Sequence, residues 1–211
     1  DKKSLTYGFE KSFRILVLAA LFLTALFVIF AEQIVAIFFG KEFQNALLPF
    51  QIIAISLIFT VPFHAIEFTL VSINKQNFLF LCPLIGLLIR TILNLVMIPK
   101  FGYVGASIAA TCGYFFLFLT GFFFINRFVV FQPIHKLLLR PVIASMLMAL
   151  CLYPLNKINI FIMFPVGLIV YSGSLILTKS FPDDESQFLK LVVKKTSSLL
   201  RHKISFNRNT T

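Results

Sequence analysis

Residues 78–98 read FLFLCPLIGLLIRTILNLVMI, residues 99–102 read PKFG, and residues 103–125 read YVGASIAATCGYFFLFLTGFFFI. Two apolar runs flank a four-residue link that holds one proline and one glycine. An α-helix rises about 1.5 Å per residue, so about 20 apolar residues cross a hydrocarbon core of roughly 30 Å. Alternation of apolar and polar residues at period two is absent from both runs, which argues against membrane β-strands. Helices remain, because in lipid only helices and closed barrels satisfy their own backbone polar groups. A link this short makes the two helices neighbours running in opposite directions. The stretch therefore reads as a transmembrane helical hairpin.

Four more apolar stretches of similar length lie outside it. They run from Ile15 to Phe39, with a polar notch at Glu32-Gln33, from Ala46 to Ile73, from Leu137 to Leu155 and from Ile158 to Leu177. Asn74-Lys75-Gln76-Asn77 joins the second span to the hairpin, and Asn156-Lys157 joins the last two spans. The expected fold is an all-α membrane protein with six transmembrane helices. Composition agrees: 59% of the 211 residues are hydrophobic and 13% charged, and mean hydropathy is +0.94. Soluble domains hold roughly 45–50% apolar and about 25% charged residues, so this chain has more apolar surface than a soluble fold can hide. Cys82, Cys112 and Cys151 sit inside apolar stretches without metal or redox spacing and read as small buried hydrophobes. The chain begins at Asp1 with no signal peptide ahead of the first span, which suggests that it starts partway through a longer protein.

Lysine and arginine set the expected orientation. With the first flank on side A, that side holds fifteen basic residues, side B holds Lys41, Lys100 and Lys157, and Arg90 lies within a span. Side A is therefore expected to be cytoplasmic, with both ends of the chain on it. This asymmetry accounts for the formal charge of +11 without a nucleic-acid partner. The tail over 181–211 opens on Pro182-Asp183-Asp184-Glu185, acids suited to a helix start. It then carries Phe188, Leu189, Val192, Leu199 and Leu200 among Lys190, Lys194, Lys195, Arg201 and Lys203. It reads either as a basic amphipathic helix on the anionic cytoplasmic leaflet or as a basic tail without regular structure.

Ionisable residues within spans are costly, so each is a functional candidate. Arg90 lies about 20 Å into the third span by helical rise, and Asn94 follows one turn later on the same face. A cation at that depth must face water, a carboxylate or an anionic ligand; a structural or snorkelling role is the alternative. His64 and Glu67 sit at i and i+3 in the second span, close to Pro62, which can break or bend that helix. They lie about 15 and 10 Å from its cytoplasmic end. They form either a proton- or cation-binding pair or a counter-charge in which Glu67 neutralises Arg90; the second reading is favoured. His135 and His202 fall in cytoplasmic segments, and no set of three or four metal ligands, nucleophile–base pair or phosphate loop stands out. No enzyme activity, cofactor or metal is expected. Gly102, Gly105, Ala109 and Gly113 are small residues of the kind that let a neighbouring helix approach closely, the last three recurring every four positions.

The stretch from Asn94 to Thr111, NLVMIPKFGYVGASIAAT, resembles a segment of bacterial polysaccharide exporters. These are the lipid-linked oligosaccharide flippases of the O-antigen and capsule branch, in the superfamily that also holds multidrug and toxin extrusion transporters. Ile34 to Phe43, IVAIFFGKEF, resembles the end of an earlier span in the same family. The likeness covers roughly residues 5–130; beyond that only hydropathy agrees. It implies two lobes of six helices, sometimes with two more. Residues 1–130 would then be the later four spans of the second lobe, 131–180 the additional pair and 181–211 the cytoplasmic tail, with an amino-terminal lobe of the same protein as partner. The implied activity is alternating-access flipping of an undecaprenyl-pyrophosphate-linked oligosaccharide across the bacterial cytoplasmic membrane, with membrane lipids and a coupling proton or sodium ion as further partners. Arg90 and Asn94 are the candidate substrate-binding residues and His64 and Glu67 the candidate coupling pair; Arg90 is this sequence's own candidate, not a position of the family motif. Two other readings are a cation-coupled multidrug exporter of the same superfamily and a membrane enzyme acting on a lipid-linked glycan. The short side B links count against the second.

Overall fold

The computed structural model describes residues 2–128, 134–152 and 160–177. Within them run α1 (Lys2–Ile29), α2 (Ala31–Phe38), a 3-10 turn (Lys41–Ala46), α3 (Leu47–Ile55), α4 (Leu57–Ser72), α5 (Asn77–Phe128), α6 (Ile134–Leu152) and α7 (Ile160–Leu177). No strand occurs among the described residues. The protein is an all-α, multi-pass membrane protein. Its lipid-facing character shows in side chains such as Leu150, Leu95 and Phe80, which are 75%, 74% and 72% exposed. Water would not tolerate so continuous an apolar exterior. The tail over 181–211 and its expected amphipathic helix lie outside the described residues.

The hairpin is a single helical run, Asn77–Phe128, that reverses at Gly102 (φ 55°, ψ −134°). Those angles suit glycine alone, and no other atom comes within 4 Å of where its Cβ would stand. Gly102 therefore makes the turn and is not part of the packing stripe in which the sequence places it. Beyond the turn the two arms touch backbone to backbone. A Cβ on Gly105 would strike the Met97 carbonyl, and one on Gly113 would lie 2.9 Å from the Arg90 Cβ and 3.0 Å from the Gly86 carbonyl oxygen. Gly86, absent from the sequence-based stripe, completes this seam from the opposite arm: its own Cβ would meet the Gly113 carbonyl at 2.8 Å. Ala109 is fully buried along the same arm. At the open end the Phe78 ring packs tilted against Phe124 (centroids 4.7 Å apart), and the Lys75 amine lies 5.5 Å from the Phe128 ring centre.

Two expected spans are broken. The first bends at Phe30, between α1 and α2, just before the Glu32-Gln33 notch. The second breaks at Ser56, between α3 and α4. The sequence offered Pro62 as a residue that can break or bend this span; α4 runs unbroken through it. At Ser56 both the amide and the hydroxyl fold back onto the Ile53 carbonyl (2.9 and 2.6 Å), which tightens the turn there. Broken helices free backbone carbonyls, and in lipid each one needs a donor. Here the donors come from other segments. Gln51 donates to the Val28 carbonyl (3.1 Å), Thr24 to that of Ala54 (3.3 Å) and Thr111 to that of Ile52 (3.0 Å).

Helix α1 has two buried faces. Phe9, Phe13, Val17 and Leu21 join Phe63, Ala65, Ile66, Leu70, Cys82 and Ile125 in one core, which places α1 against α4 and the hairpin. Leu18, Phe22, Leu26, Phe30 and Ile34 join Ala144, Met148, Leu152, Tyr171 and Leu175 in a second, which places it against α6 and α7. Tyr171 donates its hydroxyl to the Leu18 carbonyl (2.9 Å), so its one polar atom is satisfied inside that core. On the far side of α4, Gly121 lets the Phe63 ring approach the hairpin, where a Cβ would come within 2.6 Å of the ring.

Candidate functional site

Two clefts open beside each other along the hairpin, and Pro83, Tyr114 and Leu117 form part of both walls. The larger, about 680 Å³, lies at the break between α3 and α4. Phe27, Phe50, Ile53, Ala54 and Leu57 give it an apolar lining, while Ser56, Thr60, His64 and Glu67 of the second span supply polar groups. Ser56 and Thr60 both turn their hydroxyl protons onto backbone carbonyls, Ile53 (2.6 Å) and Ser56 (3.2 Å). His64 and Glu67 lie one turn apart, and Nδ1 of His64 is 2.9 Å from Oε2 of Glu67. Their side chains are 57% and 43% exposed and so reach into the open space of the cleft.

The smaller cleft, about 400 Å³, is lined by Phe80, Leu84, Leu87 and Arg90 from one arm of the hairpin and Ala110 and Gly113 from the other. The missing side chain at Gly113 makes room for the arginine stem, whose Cβ and Cγ pack against it. Beyond the stem Arg90 is exposed. Its guanidinium has no ion-pair partner among the described residues. Asn94, one turn further, keeps a buried Oδ1 with no hydrogen-bond partner among the described residues.

The structure thus brings His64 and Glu67 together and leaves Arg90 apart. The expected pairing of Glu67 with Arg90 does not form. A carboxylate at i+3 reaches its histidine along the same helix surface with little loss of side-chain freedom, whereas Arg90 lies in the neighbouring cleft on another helix. Tyr114 was missed by sequence reasoning, although a phenol within a run of phenylalanines in a span is a visible polar handle. Ser56 and Thr60 were missed because short hydroxyl residues are unremarkable in membrane helices. Among the described residues no group of three His, Cys, Asp or Glu is placed to hold a metal ion.

The fold and these clefts define a class: a helical, multi-pass membrane protein with broken spans and charges held within the bilayer-crossing segments. Comparison narrows the fold further. No family model matches the chain. An uncharacterised membrane protein of Methanocaldococcus jannaschii is 31% identical to it over 136 residues, which is 64% of this chain and 27% of that protein. Among solved structures, the lipid II flippase MurJ in an inward closed conformation matches with a TM-score of 0.69 at 19% identity, over 85% of this chain and 40% of MurJ. The chain has the fold of part of that transporter. It spans about a quarter of the length of the curated relative it matches.

Proposed function

We propose that the chain is the carboxyl-terminal part of a transporter that flips an undecaprenyl-pyrophosphate-linked oligosaccharide across the cytoplasmic membrane. The observation that carries this reading is the Arg90 guanidinium, without an ion-pair partner among the described residues, in a cleft on a hairpin of flippase-like fold. A sugar chain cannot cross hydrocarbon, so a polar path must shelter it while the lipid tail stays in the bilayer. A cation within the spans attracts the pyrophosphate, and the planar guanidinium matches its oxygens in a forked geometry. Asn94, one turn away, carries a side-chain NH2 that can donate to a phosphate oxygen. Rocking of this lobe against an amino-terminal lobe of the same protein would expose the site to each side in turn. In this scheme residues 1–130 belong to the second lobe, 131–180 are an added helix pair and 181–211 a basic cytoplasmic tail, with both ends of the chain cytoplasmic. The coupling cation, proton or sodium, is assigned to the cleft that holds His64 and Glu67.

One observation favours a second reading. The larger cleft is mostly apolar and carries a carboxylate, which suits cationic drugs and hence a multidrug exporter of the same superfamily. Two assays separate the readings: rescue of surface polysaccharide in cells lacking the transporter, and efflux of a cationic dye. The flippase reading expects rescue that fails with Arg90→Ala and recovers in part with Arg90→Lys. Dye efflux that needs Glu67 and is indifferent to Arg90 would establish the second.

A further inference from the structure

We infer that Tyr114 is a sugar-binding residue, whose ring and hydroxyl hold the first sugar of the lipid-linked glycan beside a pyrophosphate at Arg90. This role rests on the flippase reading and supplies a contact that Arg90 does not.

Tyr114 and Tyr171 both lie inside spans, and they stand differently. Tyr171 is buried, and its hydroxyl donates to the Leu18 carbonyl (2.9 Å). Tyr114 is half-buried, and its hydroxyl has no hydrogen-bond partner among the described residues. Nor is that oxygen sealed in: the buried side-chain oxygen without a partner among the described residues belongs to Asn94. Packing alone does not account for a phenol at this position. Every later aromatic on the same arm, from Phe115 to Phe128, is phenylalanine, which fills the space without a hydroxyl that needs a partner. A polar atom kept free within a span is a group for water or a ligand.

Position says which ligand. Tyr114 belongs to the wall that the two clefts share, and the other shared residues, Pro83 and Leu117, have no side-chain group that can hydrogen-bond. A ligand anchored at Arg90 and reaching toward the larger cleft crosses this wall. Tyr114 follows Gly113, and the Arg90 Cβ lies 2.9 Å from where a Cβ of Gly113 would stand. Consecutive Cα atoms are about 3.8 Å apart, so the Tyr114 Cα lies within about 8 Å of the Arg90 Cβ.

In a lipid-linked glycan the first sugar is bonded to the pyrophosphate itself. With the pyrophosphate at the guanidinium, that sugar meets Tyr114. A sugar ring has an apolar C–H face, which packs on the electron-rich face of the phenol. Its rim carries oxygens, to which the phenol O–H donates. A hydrocarbon tail would use the ring and leave the O–H unpaired. The other polar side chains nearby are engaged: the Ser56 and Thr60 hydroxyls are turned onto backbone carbonyls, and His64 and Glu67 contact each other.

The test compares the binding of two lipids to the transporter in nanodiscs: undecaprenyl pyrophosphate, and undecaprenyl-pyrophosphate-linked N-acetylglucosamine. The unmodified protein is expected to bind the sugar-bearing lipid more tightly. Tyr114→Phe removes one oxygen; it should weaken that lipid about threefold to tenfold, leave the sugar-free lipid unchanged and keep the thermal transition. Tyr114→Leu, which removes the ring face as well, should abolish the preference. Arg90→Ala should weaken both lipids. The proposal is overturned if Tyr114→Phe weakens both lipids alike or neither, or if the unmodified protein does not distinguish them; weakening of both by Arg90→Ala would then leave the flippase reading standing. If neither lipid binds, the flippase reading fails and this role falls with it.

Discussion

The two clefts share a wall but solve the problem of intramembrane charge in opposite ways. In the larger, His64 and Glu67 answer each other within one turn of α4. In the smaller, Arg90 packs its stem on Gly113 and presents its guanidinium without a counter-charge among the described residues. The first arrangement is self-contained, with the two groups in contact at 2.9 Å. The second is left open, and a cation without a partner in such a place is a standing invitation to an anion. The difference teaches that one site carries its own counter-charge and the other, among the described residues, does not.

That contrast can be broken by substitution. The largest effect on stability is expected from Arg90→Leu. Removing from a span a cation that has no partner among the described residues should raise the folded protein's stability in nanodiscs by up to about 3 kcal/mol, read as a higher midpoint in thermal or denaturant unfolding. A fall in stability would mean that Arg90 has a structural partner and that the contrast is false. Gly113→Ala comes next. Its Cβ meets both the Arg90 stem and the Gly86 carbonyl, so the arms must part at a cost of about 1–3 kcal/mol, and Arg90 shifts with them. A crosslink between cysteines placed at the hairpin's open end should then form more slowly.

Gln51→Leu removes the donor from the Val28 carbonyl at the Phe30 bend and should destabilise by about 1–2 kcal/mol, with faster hydrogen exchange near that bend. The smallest effect belongs to the other cleft. Glu67→Gln should change unfolding stability by about 1 kcal/mol or less, because a half-exposed pair one turn apart contributes little. Loss of several kcal/mol there would make the pair a structural support and not the coupling site proposed above.

Much of this arrangement was legible in the sequence. The apolar lengths and the PKFG link placed the hairpin, and the turn fell on the one glycine that the link contains. The small residues at 105, 109 and 113 marked one side of its seam. What escaped depended on contacts between helices. Gly86 is a lone glycine with no repeat around it, and only its place opposite Gly113 gives it meaning. The bend at Phe30 left only the nearby Glu32-Gln33 notch as a signature and the break at Ser56 left none, since the donors that make them tolerable sit on Gln51, Thr24 and Thr111, in other segments of the chain. Pro62 drew attention because proline is the familiar helix breaker, yet the break formed where a serine could satisfy a carbonyl. For the charges, reading by depth brought Arg90 and Glu67 together, but register along one helix decided Glu67's partner.

The central claim is that Arg90 receives the pyrophosphate of a lipid-linked sugar. Its most direct measurement is the rate at which the transporter, reconstituted in vesicles, moves a fluorescent undecaprenyl-pyrophosphate-linked oligosaccharide between leaflets. The account predicts a fall of at least about thirtyfold with Arg90→Ala, the expected loss when one partner of a desolvated charge pair is removed, and partial recovery with Arg90→Lys. An Arg90→Ala protein that flips the lipid at the unmodified rate would contradict it.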